Sequence, residues 1–491
     1  MTEEKPVRIA IDPELLAIRG PEIHWVWRLL LTTCGYLWEE VLFDQECDIA
    51  YTLDPNRVTA AKICIVADKR FWGTPAKFQI EGINYSDGLP VLMLDGVSKT
   101  TSVISTEVYP LLIQYDLIFQ IYWFNTGQFE QFLAKKNHGF IHLNGHSRFP
   151  RQIFTAAPIS QIISWFRDKI NKICGVKPEK TWGATYTAAA CAGHDVDYPE
   201  IVRLLEPIRI LSRLGISGLI PSIKVLAGEY THWQFQSWIE FEKSQRFRSA
   251  FYFVAQRGSI VKYLSGTPDP FYDVQSEKFR KLFKCLDKEG FEIGLQASYN
   301  AYQSREKFAA EKEKLEAAYG KPIFGNRHHY FHLSPDNLED TLLIHEQINL
   351  KYDSSIFHND YIGWRRGICH PYFPFHQGQR RELKTLQIPS AWMDDQLFGL
   401  KEYNPGDRKC LLRSLVDRVS ETEGCLSVNI HEYVYEDDLF PDWARSYKDL
   451  WAYVLSRGNY WLATPLEIAE YWMNRYQNIV AESRGLRLGL P

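Results

Sequence analysis

The stretch Thr185-Tyr-Thr-Ala-Ala-Ala-Cys-Ala-Gly-His-Asp-Val-Asp197 decides how this chain is read. Its first part, through Ala192, is apolar and β-leaning, and the pentad Gly193–Asp197 stands at the C-terminal edge of that run. In a strand, residues two apart point to the same side, so Asp195 and Asp197 would face one small volume together. Two carboxylates held that close repel unless a cation lies between them or they share a proton. The competing reading is a loop in which one of the two caps a helix beginning near Pro199. One cap needs one Asp, which leaves the other Asp and His194 unexplained.

Working outward, 491 residues with 45% hydrophobic and 14% aromatic content imply folded domains with large cores rather than disorder. Lys and Arg number 56 against 60 Asp and Glu, a net charge of −4 spread without long blocks, so nothing favours nucleic acid or an anionic membrane as partner. Nine scattered cysteines with no Cys-x-x-Cys pair suit free buried thiols in a reducing compartment. The start, MTEEKPVRIAID, lacks an apolar core of signal-peptide length, and no uninterrupted apolar stretch approaches the roughly 20 residues that span a bilayer. The expectation is a cytoplasmic protein without a membrane span.

Residues 1–180 read as a mixed α/β domain, with strands such as Val7–Ile11 and Ile63–Ala67 and a helix over Trp25–Leu37. A turn is expected at Asp95–Lys99, and the aromatic run Tyr115–Leu133 reads as helical with one buried face. His138, His142 and His146 recur every four residues, but Gly139, Asn144 and Gly145 break helical character, which argues against a metal role.

Beyond Ala184 short apolar runs alternate with charged helical segments. Strands are expected at Tyr186–Ala192, Ser249–Val254, Gly290–Leu295, Ile323–Arg327, Leu350–Tyr352, Leu386–Pro389, Cys425–Ile430 and Tyr460–Ala463, with helices such as Gln275–Glu289 and Ser304–Tyr319 between them. Repeated strand-then-helix units predict a parallel sheet, and about eight in this length suit a (β/α) barrel over 184–475, followed by a tail at 476–491. Such barrels carry their chemistry just after the strands. Polar, reactive residues do follow them here: His194, Asp195 and Asp197; Gln296, Tyr299 and Asn300; Arg327 and His329; Asp353 and Arg365; Trp392, Asp394 and Asp395; His431 and Glu432. Taken singly, a histidine in such a place is more often structural, and Arg327 and Arg365 could be plain counter-charges for Asp195 and Asp353.

The order of these motifs resembles the NodB-type polysaccharide deacetylases, carbohydrate esterases with a deformed (β/α) barrel, and in particular a bacterial subgroup with an extra α/β domain before the barrel, often associated with making surface polysaccharides. His194-Asp-Val-Asp197 looks like that family's first motif and Gly290-Phe-Glu-Ile-Gly-Leu-Gln-Ala-Ser-Tyr-Asn300 is similar to its second. Arg327-His-His-Tyr330 resembles the third, Asp353 with Ile362-Gly-Trp-Arg365 the fourth and Leu426-Ser-Val-Asn-Ile-His431 the fifth. The resemblance implies Asp195 as catalytic base, Asp197 as metal ligand and His431 as acid. It also implies a divalent metal, zinc first, and a carbohydrate substrate or glycan precursor.

The second motif departs from the family, whose two histidines there are Gln296 and Asn300 in this chain. An amide oxygen is a poorer zinc ligand than imidazole, so His329, or His194, is expected to help Asp197 and Gln296 hold the ion. Arg327 would orient Asp195, while Tyr299, Asn300, Trp392 with Trp364, and Arg365 are candidates to meet the sugar. Two readings stay open: a metal-dependent hydrolase that removes an acyl group, and a degenerate barrel that binds a glycan or a partner without hydrolysis. A two-carboxylate glycosidase, pairing Asp195 with Glu432 or Asp394, leaves Arg327 and His329 without a role.

Overall fold

Helix and strand signals act together at the start of the chain. Val7–Ile11 is a strand; Asp12 then accepts the Glu14 N–H and caps the helix Pro13–Cys34, which ends at Gly35 in the left-handed region (φ 83°). The helix expected over Trp25–Leu37 is the second half of this longer one, which kinks at Arg19 (φ −144°). The computed structural model describes residues 5–58, 60–95, 102–132, 134–135, 141–142, 152–201, 203, 205–335, 337–398 and 403–486. The expected turn at Asp95–Lys99 lies outside them from Gly96 on, as do the side chains of His138, His142 and His146.

The first unit is a sheet in the order Trp38–Val41, Val7–Ile11, Cys47–Thr52, Ala61–Val66, Leu111–Ile113, all parallel, with Val103–Ile104 antiparallel at one edge. The aromatic run forms the helix Leu117–Asn125, which is buried on every side rather than on one, because it joins the core between this sheet and the helix Pro13–Cys34.

The second unit is an all-parallel sheet of nine strands, eight of them on one continuous path: β1 (Ala188–Val196), β2 (Ala250–Phe253), β3 (Glu292–Ala297), β4 (Gly325–His328), β5 (Tyr352–Asp353), β6 (Leu386–Gln387), β7 (Ser390–Met393) and β8 (Cys425–His431). Their order is β6-β5-β4-β3-β2-β1-β8-β7. The two edges, β6 and β7, are separated by only Ile388 and Pro389. A chain advances at most about 3.6 Å per residue, so the sheet must curl until its edges nearly meet. Helices between the strands include α1 (Glu206–Leu214), α2 (Leu219–Ala227), α3 (Phe235–Ser244) and α4 (Ile260–Leu264).

Four expectations change here. The strand expected to stop at Ala192 runs on to Val196, because Gly193–Val196 pairs with β2 on one side and Gly193–Asp195 with β8 on the other. Ser390–Met393, expected as the loop after a strand, is itself a barrel strand, whereas Tyr460–Leu462 pairs only with the foot of β1 at Ala188–Ala190. The expected tail from 476 is the end of a helix, Pro465–Glu482, started by a capping box of Thr464 and Glu467. Arg475 Nη1 in that helix donates to the Thr32 carbonyl at 2.6 Å, and Arg484 extends the first sheet beside Trp38 and Glu40.

The units are clasped by charge. Arg365 makes a bidentate pair with Glu130 at 2.9 and 2.8 Å, and Trp25 Nε1 donates to the Phe373 carbonyl at 3.0 Å. Arg366 also reaches Glu130 at 3.3 Å. Replacing Glu130 leaves the buried Arg366 and the half-buried Arg365 without this partner, and breaking a buried pair costs about 3–5 kcal/mol. Glu130→Ala is expected to lower the denaturant midpoint by a corresponding amount, read by equilibrium urea unfolding.

Candidate functional site

Strand β1 sorts the pentad by alternation. Gly193 and Asp195 point into the barrel, and Asp197 follows on the same side; His194 points the opposite way. There His194 Nε2 lies 2.7 Å from Glu242 on α3, and its ring stacks on Phe251 at 4.5 Å. His194 therefore cannot help Asp197 hold an ion, and its role is to pin α3 against the sheet.

Gly193 makes room for what neutralises Asp195. A Cβ at that position would lie 2.6 Å from the Tyr252 ring and 2.7 Å from Arg327 Nη1. Arg327, fully buried on β4, lies over the Tyr252 ring at 4.5 Å and donates from Nη1 to Asp195 Oδ1 at 3.2 Å and to Asn429 Oδ1 at 2.6 Å. Asn429 on β8 returns a hydrogen bond from Nδ2 to Asp195 Oδ2 at 2.7 Å. Both oxygens of Asp195 are thus oriented. Burial raises its pKa above the ordinary carboxylate value, against the opposing pull of Arg327 and His431.

Asp197 is held differently. Gln296 Nε2, from the end of β3, donates to its Oδ1 at 2.9 Å, and the Asp197 N–H donates to Glu432 at 3.2 Å. Its Oδ2 lies 3.5 Å from His329 Nε2 and 3.4 Å from His431 Nε2. Each imidazole is fixed from behind by a carboxylate: His329 Nδ1 lies 3.2 Å from Asp269, and His431 Nδ1 lies 2.8 Å from Asp394. Asp394 also accepts the His431 backbone N–H at 2.9 Å. Burial would raise the Asp197 carboxyl, but His329 and His431 outweigh it and hold the group well below the carboxylate range. Burial likewise disfavours charge on the histidines, yet Asp197 and Asp269 lift His329 to about 9, and Asp394 with Asp197 lifts His431 well above its ordinary value.

The turn after β4 is strained where it meets this cluster. Tyr330 (φ 60°) and Phe331 (φ 50°) both adopt the left-handed region, which costs on the order of 1–3 kcal/mol for a residue that is not glycine. Next to it a cavity of about 650 Å³ is lined by Tyr198, Arg209, Tyr263, Asp395 and Tyr433 among others. Tyr198 follows Asp197 and Asp395 follows Asp394, so this cavity adjoins the carboxylate–imidazole cluster.

The structure brings together Asp195, Asp197, Gln296, Arg327, His329 and His431. Tyr299 is beside them: its N–H donates to Asp269 at 2.8 Å, and its ring meets Tyr330 at 5.9 Å. Asn300 instead turns towards Thr267 at 3.5 Å. Three candidates for sugar contact lie elsewhere. Trp392 is a fully buried core residue of β7, as is Trp364 of the segment after β5, and Arg365 is occupied by Glu130. Asp353, which the fourth motif put near the site, instead accepts hydrogen bonds from Asn326 at 2.8 Å and Ser355 at 2.6 Å. Asp269 went unnoticed because it sits in an irregular segment with no pattern around it. Asp394 was visible as a polar residue in the right region, but its tie to His431 depends on the unforeseen strand β7.

No protein-family model matches the chain, and no curated protein matches its sequence. Solved structures resemble it. A Mycobacterium smegmatis protein assigned as a polysaccharide deacetylase aligns at 14% identity and TM-score 0.40 over 63% of this chain and 96% of its own. PuuE allantoinase aligns at 14% and 0.40 over 60% and 94%. A Pseudomonas aeruginosa PAO1 protein, a probable polysaccharide deacetylase, aligns at 15% and 0.40 over 62% and 97%.

The crowding at Gly193 yields a sharp test of the Asp195 support. Gly193→Ala is expected to displace Arg327 and to cost about 1–3 kcal/mol by overpacking, seen as a lower unfolding midpoint, whereas Ala192→Gly leaves the Arg327 contacts in place.

Proposed function

We propose that this chain is a hydrolase of the polysaccharide deacetylase kind, removing an acyl group from an amino sugar or glycan precursor. The observation that carries the reading is the pair of imidazoles at 3.4 and 3.5 Å from one oxygen of Asp197, each backed by its own carboxylate, beside a second oriented acid, Asp195. This is a base, an acid and an anion anchor within one buried cluster.

A divalent ion, zinc first, suits these donors. His329 Nε2 and Gln296 Oε1 are buried beside Asp197 without hydrogen-bond partners, and Asp269 behind His329 is the carboxylate that orients a ligating imidazole. Among the described residues no group of three or more His, Cys, Asp or Glu side chains could hold a metal, so Gln296 would complete Asp197 and His329. When bound, the ion would polarise the acyl carbonyl and acidify a water. Asp195, ionised beside Arg327 and Asn429, takes a proton from the attacking water as its oxygen bonds to the acyl carbon. His431, held protonated by Asp394, gives a proton to the departing nitrogen as the carbon–nitrogen bond breaks. The products are a free carboxylic acid and an amine. The nine cysteines are all free, eight of them buried or half-buried, which supports a reducing compartment such as the cytoplasm.

The second reading, a barrel that binds a glycan without hydrolysis, is favoured by one feature: Gln296 offers Asp197 an N–H where the family has an imidazole. Elemental analysis with an acetyl-release assay on N-acetylated amino-sugar oligomers separates the two. The hydrolase reading expects a bound metal lost in Asp197→Ala, and a kcat in Asp195→Asn or His431→Ala lower by about 10²–10⁴-fold. Neither metal nor acetyl release at any metal concentration would leave the binder. Asp195 works ionised and its pKa is raised, so the rate climbs with pH above the usual carboxylate range; His431 works protonated and its pKa is raised, so the rate falls only above the usual imidazole range.

A further inference from the structure

More than half of the exposed large apolar side chains among the described residues fall on one feature, the pair α1 and α2 with α4 beside it. Ile208 is 65% exposed, Ile216 87%, Ile220 67% and Val261 77%, with Ile223 and Leu226 also open to solvent. Soluble surfaces carry single apolar residues freely, but a contiguous patch on this scale marks an interaction surface.

We infer that this helical pair is a bilayer-docking surface that seats the mouth of the candidate site at the lipid headgroups. By length and composition Glu206–Ala227 is apolar enough to cross a membrane, with only 22% of it buried. Its backbone rules out a straight span. Gly215, at φ 61° and ψ −138°, turns the chain out of α1, and Gly218 lets α2 lie against it, since a Cβ there would be 3.1 Å from the Ile210 carbonyl oxygen. Each helix has 9 residues, so each is about 13 Å long against a hydrocarbon core of roughly 30 Å. Such a pair can lie in the interface and cannot cross it.

The chemistry favours lipid over a protein partner. The exposed apolar residues of α1 and α2 are all aliphatic, whereas protein hot spots favour Trp, Tyr and Arg; Tyr263 and Arg209 stand at the edge that borders the cavity. Cations border the pair: Lys224 on α2 is partly exposed, 3.9 Å from Asp438, and two arginines stand on α1. Glu206 is buried, Arg209 lies over the Tyr198 ring at 5.2 Å, and Arg213 lies over the Phe440 ring at 4.1 Å. That places cations where phosphate headgroups would meet a partly inserted hairpin. The patch is also continuous with the cavity beside the candidate site, because Ile208, Arg209 and Tyr263 line both. A substrate reaching the cluster by this route would carry a lipid anchor; that extension rests on the hydrolase reading, while the docking surface does not.

Flotation of the full chain with vesicles of phosphatidylcholine and phosphatidylglycerol tests it without any turnover. The chain is expected to float with the vesicles, and Ile216→Glu with Ile220→Glu to reduce the floated fraction at least tenfold with unchanged circular dichroism and melting. Leu455→Glu, exposed near the C-terminal end of the helix Trp443–Arg457, whose opposite end borders the cavity, is expected to float as the parent does. No flotation of the parent, or equal flotation of the double variant, overturns the inference. So does a dimer that the double variant dissociates in the absence of vesicle binding, which would make the patch a contact between copies of this chain. Loss of acetyl release on soluble oligomers would count against the hydrolase reading alone.

Discussion

The shared oxygen of Asp197, facing two imidazoles inside the barrel mouth, is the constraint that the rest of the site depends on. A buried carboxylate is tolerated only with compensating charge, and a buried imidazolium likewise. Asp197, His329 and His431 therefore stabilise one another, and each histidine needs its own rear carboxylate, Asp269 or Asp394, to stand in place. Asp195 belongs to a separate pairing. Its charge is met by Arg327 and Asn429, so the two neighbouring acids of β1 sit in different electrostatic surroundings, one raised and one lowered. Environments that push like groups apart are how one site obtains both a base and a fixed anion.

The barrel supplies these residues from four strands drawn from both ends and the middle of its sequence. β1 brings both acids, β3 ends at Gln296 and Ala297, β4 brings Arg327 and leads into His329, and β8 brings Asn429 and His431. Rigidity comes from outside that ring as much as from within it. His194 on the reverse face of β1 is fixed to Glu242, and Tyr447 donates to the same carboxylate at 2.8 Å. The first unit closes over the far side through Glu130 and Arg365, while the last helix straps both units together through Arg475 and Arg484.

Much of this was legible in the chain itself. The alternation rule put Asp195 and Asp197 on one side, and apolar runs located seven of the eight barrel strands near their observed places. The helix start at Asp12-Pro13 and the capping box at Thr464 and Glu467 also stand in the sequence. What could not be read was long-range pairing. Arg365 looked like a ligand for an anionic sugar because nothing local reveals that Glu130, far earlier in the chain, folds onto it. Trp392 looked like an exposed wall because the two-residue step at Ile388 and Pro389 hides a jump from one sheet edge to the other. The apolar hairpin went unnoticed for a related reason: composition shows apolar residues, but only the fold shows which of them are left uncovered.

The central claim is that Asp197 serves as common counter-charge to two buried imidazoles, and histidine titration by NMR on chelator-treated protein measures it directly. The account predicts that the His329 ring stays protonated up to about pH 9 and that Asp197→Asn brings its titration down towards the ordinary imidazole range. A His329 that titrates at or below an ordinary imidazole in the parent protein, unmoved by Asp197→Asn, would contradict it.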